Sequence, residues 1–187
     1  MKITETDIPG LLIIHPKVFQ DARGYFYESY NEKLFKDHDL DFNFVQDNES
    51  QSGRDVIRGL HYQLAPWAQT KLLRVLEGVI FDVAVDLRKN SPTYGKWKGI
   101  EISAENKLQI LIPKGFAHGF RVISENAKVF YKCDEFYQPQ AERGILFSDE
   151  KLGICWGIDS DKAIVSDKDK EASLFVEAEN NFIFGNL

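Results

Sequence analysis

Short segments in which apolar and polar residues alternate recur along the chain. The clearest covers residues 79–87, where one face of a strand carries only the apolar Val79, Phe81, Val83, Val85 and Leu87. A period of two residues predicts a β-strand. The opposite face includes two aspartates, Asp82 and Asp86, which need polar partners or water if that face is also covered.

Other segments complete a β-rich pattern. We predict further strands at residues 11–15, 25–29, 71–76, 107–113 and 127–137, with turns at residues 21–24 and at Glu77-Gly78. Asn31 can cap a helix over residues 31–38, and residues 166–172 can form a capped helical turn. Many short strands and little helix favour a closed or sandwiched antiparallel architecture, so the prediction is a mainly β jelly-roll β-barrel with a few short helices.

Composition narrows the class of protein. The chain has 187 residues, which suits one domain over residues 1–187, and its net charge of −6 argues against general nucleic-acid binding. We find no apolar run near the roughly 20 residues that span a bilayer, and no signal-peptide block at the N-terminus. Cys133 and Cys155 form no CxxC pair. We therefore expect a cytoplasmic protein without membrane contact, disulfide framework or thiolate metal site.

Residues 58–63, Arg-Gly-Leu-His-Tyr-Gln, hold the strongest candidate for chemistry. The imidazole of His61 changes charge near neutral pH and can take up or return a proton. The neighbouring Arg58 keeps its charge and presents a fork that suits phosphate. This pairing predicts proton transfer on a phosphorylated ligand. The alternative is a structural histidine in a turn.

Residues 113–120 contain the Pro-x-Gly-x-x-His spacing of the second half-motif of cupin barrels, ending at His118. In metal cupins that histidine joins an earlier His-x-His pair and a glutamate. Here the earlier segment reads His61-Tyr62-Gln63, and the remaining histidines, His15 and His38, precede a proline and lie in the predicted helix. The barrel is therefore expected without a metal site.

Two residues can complement His61 inside such a barrel. Tyr131 shares a strand face with Val129 and Cys133, so its hydroxyl should point inward, either to deliver a proton or to bond a carbonyl as an ordinary core tyrosine. Lys71 opens a predicted strand. Its ammonium either reaches solvent or stabilises an oxyanion in the pocket.

Further residues have both a bland and a functional interpretation. Arg23, Arg58 and Lys168 can neutralise a diphosphate or simply be solvated. Asp169 can belong to a helical turn, or it can orient His61 and raise its basicity. Tyr137 can be a rim aromatic or a platform for a nucleotide base.

Taken together, these motifs resemble one family over residues 3–169. The resemblance rests on ordered segments at residues 23–28, 46–50, 58–63, 71–75, 82–88, 91–95, 112–120 and 131–132. The chain is similar to dTDP-4-dehydrorhamnose 3,5-epimerases, cupin-like isomerases of the dTDP-L-rhamnose pathway. The resemblance implies a cofactor-independent reaction. Carbons 3 and 5 of dTDP-4-dehydro-6-deoxy-D-glucose are inverted through an enolate, which gives dTDP-4-dehydro-L-rhamnose.

The resemblance also assigns residue roles. It makes His61, supported by Asp169, the general base, Tyr131 the general acid, and Lys71 the partner of the keto oxygen. Tyr137 falls where an aromatic ring stacks on thymine. The other positions that line the nucleotide-sugar pocket are Arg23, Glu28, Gln46, Asn48, Arg58, His118, Glu142 and Lys168. It further implies a homodimer, in which one chain lends residues to the neighbouring site, and a role in polysaccharide synthesis.

Several alternatives stay open at the level of sequence. The chain can be a single-carbon epimerase, acting at carbon 3 or 5 of a related dTDP-4-keto-6-deoxy sugar, or a 3,4-ketoisomerase of a neighbouring cupin-like family. From other classes, it can be a non-catalytic cupin that binds nucleotide sugars or a metal-dependent cupin dioxygenase.

Overall fold

The computed structural model describes residues 1–186, and most of its regular structure is antiparallel β-strand. In chain order the elements are β1 (Lys2–Glu5), β2 (Leu12–His15), β3 (Phe19–Asp21), β4 (Gly24–Phe26), α1 (Glu32–Lys36), β5 (Gln46–Gly53), β6 (Ile57–Gln63), β7 (Lys71–Glu77), β8 (Val79–Asp86), β9 (Trp97–Ser103), β10 (Gln109–Ile112), β11 (Phe116–Val122), β12 (Asn126–Cys133), β13 (Glu142–Gly144) and α2 (Asp167–Lys170).

The strands form two main sheets and a separate hairpin. One sheet has the order β1-β2-β10-β7-β12-β5, the other has the order β13-β6-β11-β8-β9, and β3 pairs only with β4. Apart from β1–β2 and β8–β9, neighbours in these two sheets are not consecutive in sequence, because the chain crosses repeatedly from one sheet to the other. This is the predicted jelly-roll architecture, mainly β with a few short helices.

Both faces of each sheet are covered by apolar side chains. The cluster between the sheets, which we call the inner cluster, joins Ile80 and Phe120 from one sheet to Leu73 and Val129 from the other. A second cluster, which we call the outer cluster, lies on the opposite face of the sheet that contains β6, β11 and β8. The C-terminal segment covers this face. A third packs α1 against the outer face of the other sheet. Burial of apolar surface on both sides stabilises the sheets and fixes which residues face the interior.

The two faces of β8 are separated as the alternation predicts. Val83 and Val85 lie in the outer cluster, whereas Ile80 and Ala84 lie in the inner cluster. Asp82 shares the inner face and is completely buried. The predicted strand is confirmed, and the structure shows that both of its faces are covered.

Asp86, at the end of β8, has a complete set of partners. Arg88 donates to its carboxylate from Nε at 2.9 Å and from a terminal nitrogen at 2.8 Å. The hydroxyls of Ser91 and Thr93 donate at 2.6 and 2.7 Å. Burial alone would raise the pKa of Asp86, but these bonds outweigh it and hold the pKa below its ordinary value. These hydrogen bonds hold the loop that follows β8 against the end of the strand.

Most predicted element positions agree with the structure, and the differences have local causes. Helix α1 begins after Asn31, whose side chain accepts from the Leu34 N–H, and Ser166 caps α2 in the same way. The predicted strand over residues 127–137 ends at Cys133, because the Asp134 carboxylate takes the Thr70 N–H in place of a ladder carbonyl. Strand β4 stops at Phe26 rather than continuing to residue 29.

Strand β5 was not among the predicted strands. Its sequence, QDNESQSG, carries no apolar face, yet it pairs with β12 over its whole length. The positions that face inward, Gln46, Asn48, Ser50 and Ser52, are all polar, so alternation of apolar and polar residues does not reveal this strand. In residues 1–186, no helix has the length and apolar character needed to cross a membrane.

Replacing Asp86 with Asn should destabilise the fold by about 3–5 kcal/mol, because it leaves the buried Arg88 charge without its counter-ion. Urea unfolding at pH 7 would measure the loss. The pKa of Asp86 is lower in the folded state, so its contribution is present above the unfolded pKa and is lost as pH falls through the folded pKa. The two proteins should therefore converge in acid.

The matched control is Asp159→Asn, which breaks an exposed ion pair with Lys162. That change should alter the free energy of unfolding by less than about 0.5 kcal/mol. Equal losses in the two variants would contradict the role given to Asp86.

Candidate active site

His61 and His118 lie side by side on the interior face of one sheet. They are direct partners in the ladder between β6 and β11. Tyr62 and Leu60 belong to the outer cluster, so the side chain of His61 points the other way, into the barrel. Gly59 permits this arrangement: it has a φ of +124°, and a Cβ there would lie 2.5 Å from the Gly119 Cα. A residue with a side chain would push β6 away from β11.

A carboxylate from the C-terminal segment holds the His61 ring. Nε2 of His61 lies 2.6 Å from Oδ1 of Asp169, and the other oxygen of Asp169 accepts from the Gly59 N–H at 3.2 Å. Because a carboxylate only accepts, Nε2 donates this hydrogen bond, and in the neutral form of the ring the lone pair is therefore on Nδ1. The His61 side chain is about one-third exposed (32%), whereas Asp169 is only 7% exposed. The bland interpretation, a histidine in a turn, is wrong, since His61 lies in a strand.

Short-range structure fixes Asp169. It lies in α2, and the Ser166 hydroxyl at the cap accepts from its backbone N–H at 3.2 Å. Isolated parallel bridges attach the flanking chain at Ile164 and Ser173. Burial raises the pKa of Asp169, but the hydrogen bonds from His61 and Gly59 and the attraction of the imidazole outweigh it and leave the pKa below its usual range. Asp169 therefore stays ionised beside the ring.

Tyr131 lies on the facing sheet. Its ring packs against the inner cluster, and its strand neighbours Val129 and Cys133 are buried. Burial raises the pKa of the Tyr131 hydroxyl, Cys133 and Glu142 add to this effect and Arg58 opposes it, so the phenol keeps its proton at neutral pH. Among the hydrogen bonds of residues 1–186, none involves this hydroxyl. Tyr131 thus lacks the carbonyl partner of an ordinary core tyrosine.

Lys71 lies beside Tyr131 on the neighbouring strand. Its ladder partners are Cys133 and Ile112, and Nζ lies 5.8 Å from the centre of the Tyr131 ring. Burial lowers the pKa of Lys71, while the nearby Cys133, Asp82 and Glu142 oppose this effect. In residues 1–186, Lys71 forms no ion pair. Its amine is therefore available to an acceptor inside the barrel.

Polar side chains of β5 extend the interior wall of the barrel that carries Tyr131 and Lys71. Asn48 is the ladder partner of Tyr131, and Gln46 is that of Cys133. The Gln46 side chain donates to Oδ1 of Asn48 at 3.0 Å and accepts from the Tyr137 backbone N–H at 2.9 Å. From the opposite sheet, Arg58 reaches across to β5, where its Nε donates to the Ser52 hydroxyl at 2.9 Å.

A cluster of three side chains lies at the rim, near His61. The Tyr137 hydroxyl donates to Glu142 Oε2 at 2.6 Å, and Lys168 Nζ lies 2.5 Å from the same oxygen. Burial raises the pKa of Glu142, but Lys168 and Tyr137 outweigh it and hold the pKa below its ordinary value. The Tyr137 side chain is half exposed, so one ring face is open for stacking. Lys168 also ties α2, which carries Asp169, to β13.

Two of the predicted site residues lie away from His61, Tyr131 and Lys71 within the chain. Arg23 lies on the β3–β4 hairpin, is almost fully exposed, and pairs with Asp21 at 2.5 Å. Glu28 accepts from the Asn31 side chain at 3.0 Å, beside α1. Neither has a hydrogen bond or ion pair to His61, Tyr131 or Lys71 in residues 1–186.

Asp82 is a further polar residue near the site. The alternation in β8 indicated that it needs a polar partner, but the sequence did not reveal which residue this is. Asp82 Oδ2 lies 2.8 Å from His118 Nε2, and both side chains are buried. His118 thus has its own carboxylate, as His61 does. No cluster of three or more His, Cys, Asp or Glu side chains in residues 1–186 has the arrangement of a metal site. The two walls together offer a base, a protonated phenol and a cation.

The chain matches known proteins over most of its length. A family model described as dTDP-4-dehydrorhamnose 3,5-epimerase matches residues 5–177. The chain is 52% identical over 180 residues to the dTDP-4-dehydrorhamnose 3,5-epimerase of Shigella flexneri, covering 96% of this chain and 98% of the other.

Solved structures give the same result. A dTDP-4-dehydrorhamnose 3,5-epimerase from Elizabethkingia anophelis NUHP1 is 52% identical, with a TM-score of 0.90 over 94% of this chain and 97% of the other. A dTDP-6-deoxy-D-glucose-3,5-epimerase from Legionella pneumophila Philadelphia 1, in complex with dTDP-4-keto-L-rhamnose, is 47% identical, with a TM-score of 0.88 over 92% of each chain.

The two cysteines should differ sharply in reactivity. Burial raises the pKa of Cys133 to about 11, whereas Cys155 is exposed. At pH 8 only about a thousandth of such a buried thiol is ionised, against about a quarter of an ordinary one. Iodoacetamide should therefore label Cys155 at least about 100-fold faster, as followed by peptide mass spectrometry. Equal labelling rates would contradict the buried position of Cys133.

Proposed function

The chain belongs to the dTDP-4-dehydrorhamnose 3,5-epimerase family and is an isomerase, and on that premise we propose how its residues perform the reaction. The substrate is dTDP-4-dehydro-6-deoxy-D-glucose, whose carbons 3 and 5 are inverted to give dTDP-4-dehydro-L-rhamnose. The observation that carries the assignment is the placement of the His61–Asp169 pair on one interior wall and of Tyr131 with Lys71 on the other.

His61 is the general base. The carbon-4 keto group acidifies the hydrogens on carbons 3 and 5, so a neutral imidazole can remove one of them. Asp169 fixes the ring with Nε2 protonated, and this leaves Nδ1 to take the proton. The same carboxylate then stabilises the imidazolium that forms.

Lys71 and Tyr131 complete the step. The Lys71 ammonium stabilises negative charge on the oxygen of the enolate. The Tyr131 phenol, which burial keeps protonated, returns a proton to carbon from the opposite face. Base and acid must lie on separate walls, because one group acting alone would tend to restore the original configuration.

Binding of the nucleotide falls to residues at the rim and on β5. The open face of Tyr137 suits stacking on thymine, and Arg58 and Lys168 carry positive charge that suits the diphosphate. Glu142, Gln46, Asn48 and His118 supply further hydrogen-bonding groups around the sugar. Arg58 and Lys168 supply local positive charge in a protein whose net charge is −6.

These features fit a cytoplasmic enzyme that supplies dTDP-L-rhamnose for polysaccharide synthesis. Cys133 and Cys155 are both free, which agrees with a reducing compartment. The C-terminal segment that carries Asp169 covers the sheet that carries His61. This supports treating residues 1–187 as one catalytic domain.

His61→Ala and Tyr131→Phe should each lower kcat by about 10²–10⁴, the usual effect of removing a proton-transfer group. Binding of dTDP should stay nearly unchanged, since neither side chain is assigned to the nucleotide. Proton NMR of dTDP-4-keto-6-deoxyglucose in deuterated water would follow exchange and inversion at each carbon.

Tyr94→Phe, which removes a hydroxyl outside the barrel, is the matched control. Near-normal rates in both site variants would refute the assignment. Exchange at only one carbon in the native protein would instead indicate a single-carbon epimerase.

A homodimer would bring the remaining predicted residues to the site. The β3–β4 hairpin, which carries Arg23, exposes three aromatic side chains, Phe19 at 53%, Tyr25 at 59% and Phe26 at 67%. Exposed apolar patches of this kind mark contact surfaces. Because Arg23 and Glu28 lie away from His61 in their own chain, a second copy is the natural route by which they could reach a site.

Phe26→Asp should convert the dimer to a monomer, because the contact would bury an unpaired charge. Light scattering would measure the mass, expected at twice 21.5 kDa for the native chain. Val176→Asp, at an equally exposed apolar position outside the hairpin, should leave the mass unchanged.

Mixed subunits would test whether the hairpin serves the neighbouring site. Dimers formed from Arg23→Ala and His61→Ala chains should regain activity, because one of the two sites then has both native residues. No regain would place Arg23 and His61 in the same chain's site.

A further inference from the structure

Asp82 is a buried charge with an incomplete set of partners. One carboxylate oxygen bonds His118 at 2.8 Å, while the other, Oδ1, is fully buried and has no hydrogen-bond partner in residues 1–186. Asp86, four residues further along the same strand, is hydrogen-bonded by Arg88, Ser91 and Thr93. A buried carboxylate left short of partners is costly, so its retention needs an explanation.

Lys71 is the opposite case, a cation that forms no ion pair in residues 1–186. Tyr131 and Cys133 face it from β12, and β10 contributes the apolar Ile112. Two carboxylates, Asp82 on β8 and Glu142 on β13, oppose the effect of burial on its pKa. Asp82 lies on the inner face of one sheet and Lys71 on that of the other.

The neighbours of Lys71 differ in the negative charge they can supply. The Cys133 thiol stays neutral, because burial raises its pKa to about 11. The Tyr131 phenol also stays protonated. Glu142 is already neutralised by Lys168 at 2.5 Å. Asp82 remains as the buried anion without a full cationic partner.

We propose that Asp82 is a positioning residue that keeps Lys71 in its ammonium form inside the barrel, and that His118 holds the Asp82 carboxylate in place for this purpose. This inference rests on the proposed function, in which Lys71 stabilises the enolate oxygen. Asp82 does not touch the sugar, since its carboxylate is completely buried. It acts through Lys71.

Electrostatics gives the reason. Removing an amine from water favours its neutral form, and a carboxylate nearby in a medium of low dielectric constant favours the charged form. A neutral Lys71 could donate a hydrogen bond but would supply no positive charge to the enolate. The fraction of Lys71 that is protonated should therefore limit kcat in alkaline solution.

The direction in which Asp82→Asn should change the pKa of Lys71 follows from these charges. Burial already lowers the pKa of Lys71, and Asp82 opposes that effect. Asp82→Asn removes the opposing charge, so the pKa of Lys71 falls further and the ammonium is lost at lower pH. The alkaline limb of the kcat–pH profile should move down by about one pH unit. KM for the nucleotide sugar should change little.

Two further variants separate charge from structure. His118→Asn can still donate to Asp82 and leaves its charge in place, so the alkaline limb should stay where it is. In a Lys71→Arg background, Asp82→Asn should shift nothing, because guanidinium does not lose its proton in this range. A downward shift in that background would overturn the proposal.

NMR of protein labelled with 13C-lysine would read the charge of Lys71 without turnover, with Lys71→Arg assigning its signal. The Lys71 titration should move down in Asp82→Asn, and an unchanged titration would overturn the proposal while leaving the epimerase assignment intact. If the native protein shows no epimerase activity, the proposed function fails, and this titration still decides whether Asp82 controls Lys71. Circular dichroism would verify folding, and Asp82→Ser replaces Asp82→Asn if the latter does not fold.

Discussion

The site depends on one constraint, that ionisable groups placed between two apolar sheets must find partners or change their protonation. The sheets supply the apolar cover through the inner cluster, which leaves little water to solvate a charge. Asp169 satisfies His61, and Asp82 satisfies His118. Tyr131 responds in the other way, by keeping its proton. The barrel thus pairs the two histidines of one wall with carboxylates and keeps the tyrosine of the other wall neutral.

The proposed base, His61, depends on a segment of the chain that lies outside both sheets. His61 is placed by β6, but its partner comes from α2, more than 100 residues later. Ser166 caps α2, and backbone bonds at Ile57 and Leu146 attach the flanking segment to the sheet. A four-residue helix has little stability of its own. The orientation of His61 therefore depends on the packing of the C-terminal segment in the outer cluster.

The sequence predicted the parts of this arrangement that follow from periodicity. Alternation gave β8 and the inward face of Tyr131, and capping residues gave both helices. Pattern alone did not give β5, because its interior positions are polar. The pairing of His61 with Asp169 came only from resemblance, since nothing in the local sequence brings residues so far apart together. The same limit hid the contact between Asp82 and His118, whose strands are adjacent only in the folded sheet.

The two walls differ in how firmly their reacting groups are held. His61 is anchored by a carboxylate at 2.6 Å, whereas the Tyr131 hydroxyl has no hydrogen-bond partner in residues 1–186 and Lys71 no ion pair. A base must present one nitrogen in one tautomer, so a fixed partner assists it. An acid that must serve two carbons of one ring gains from freedom to reach both. The unequal support of the two walls therefore suits a single pair of groups that acts twice on the same sugar.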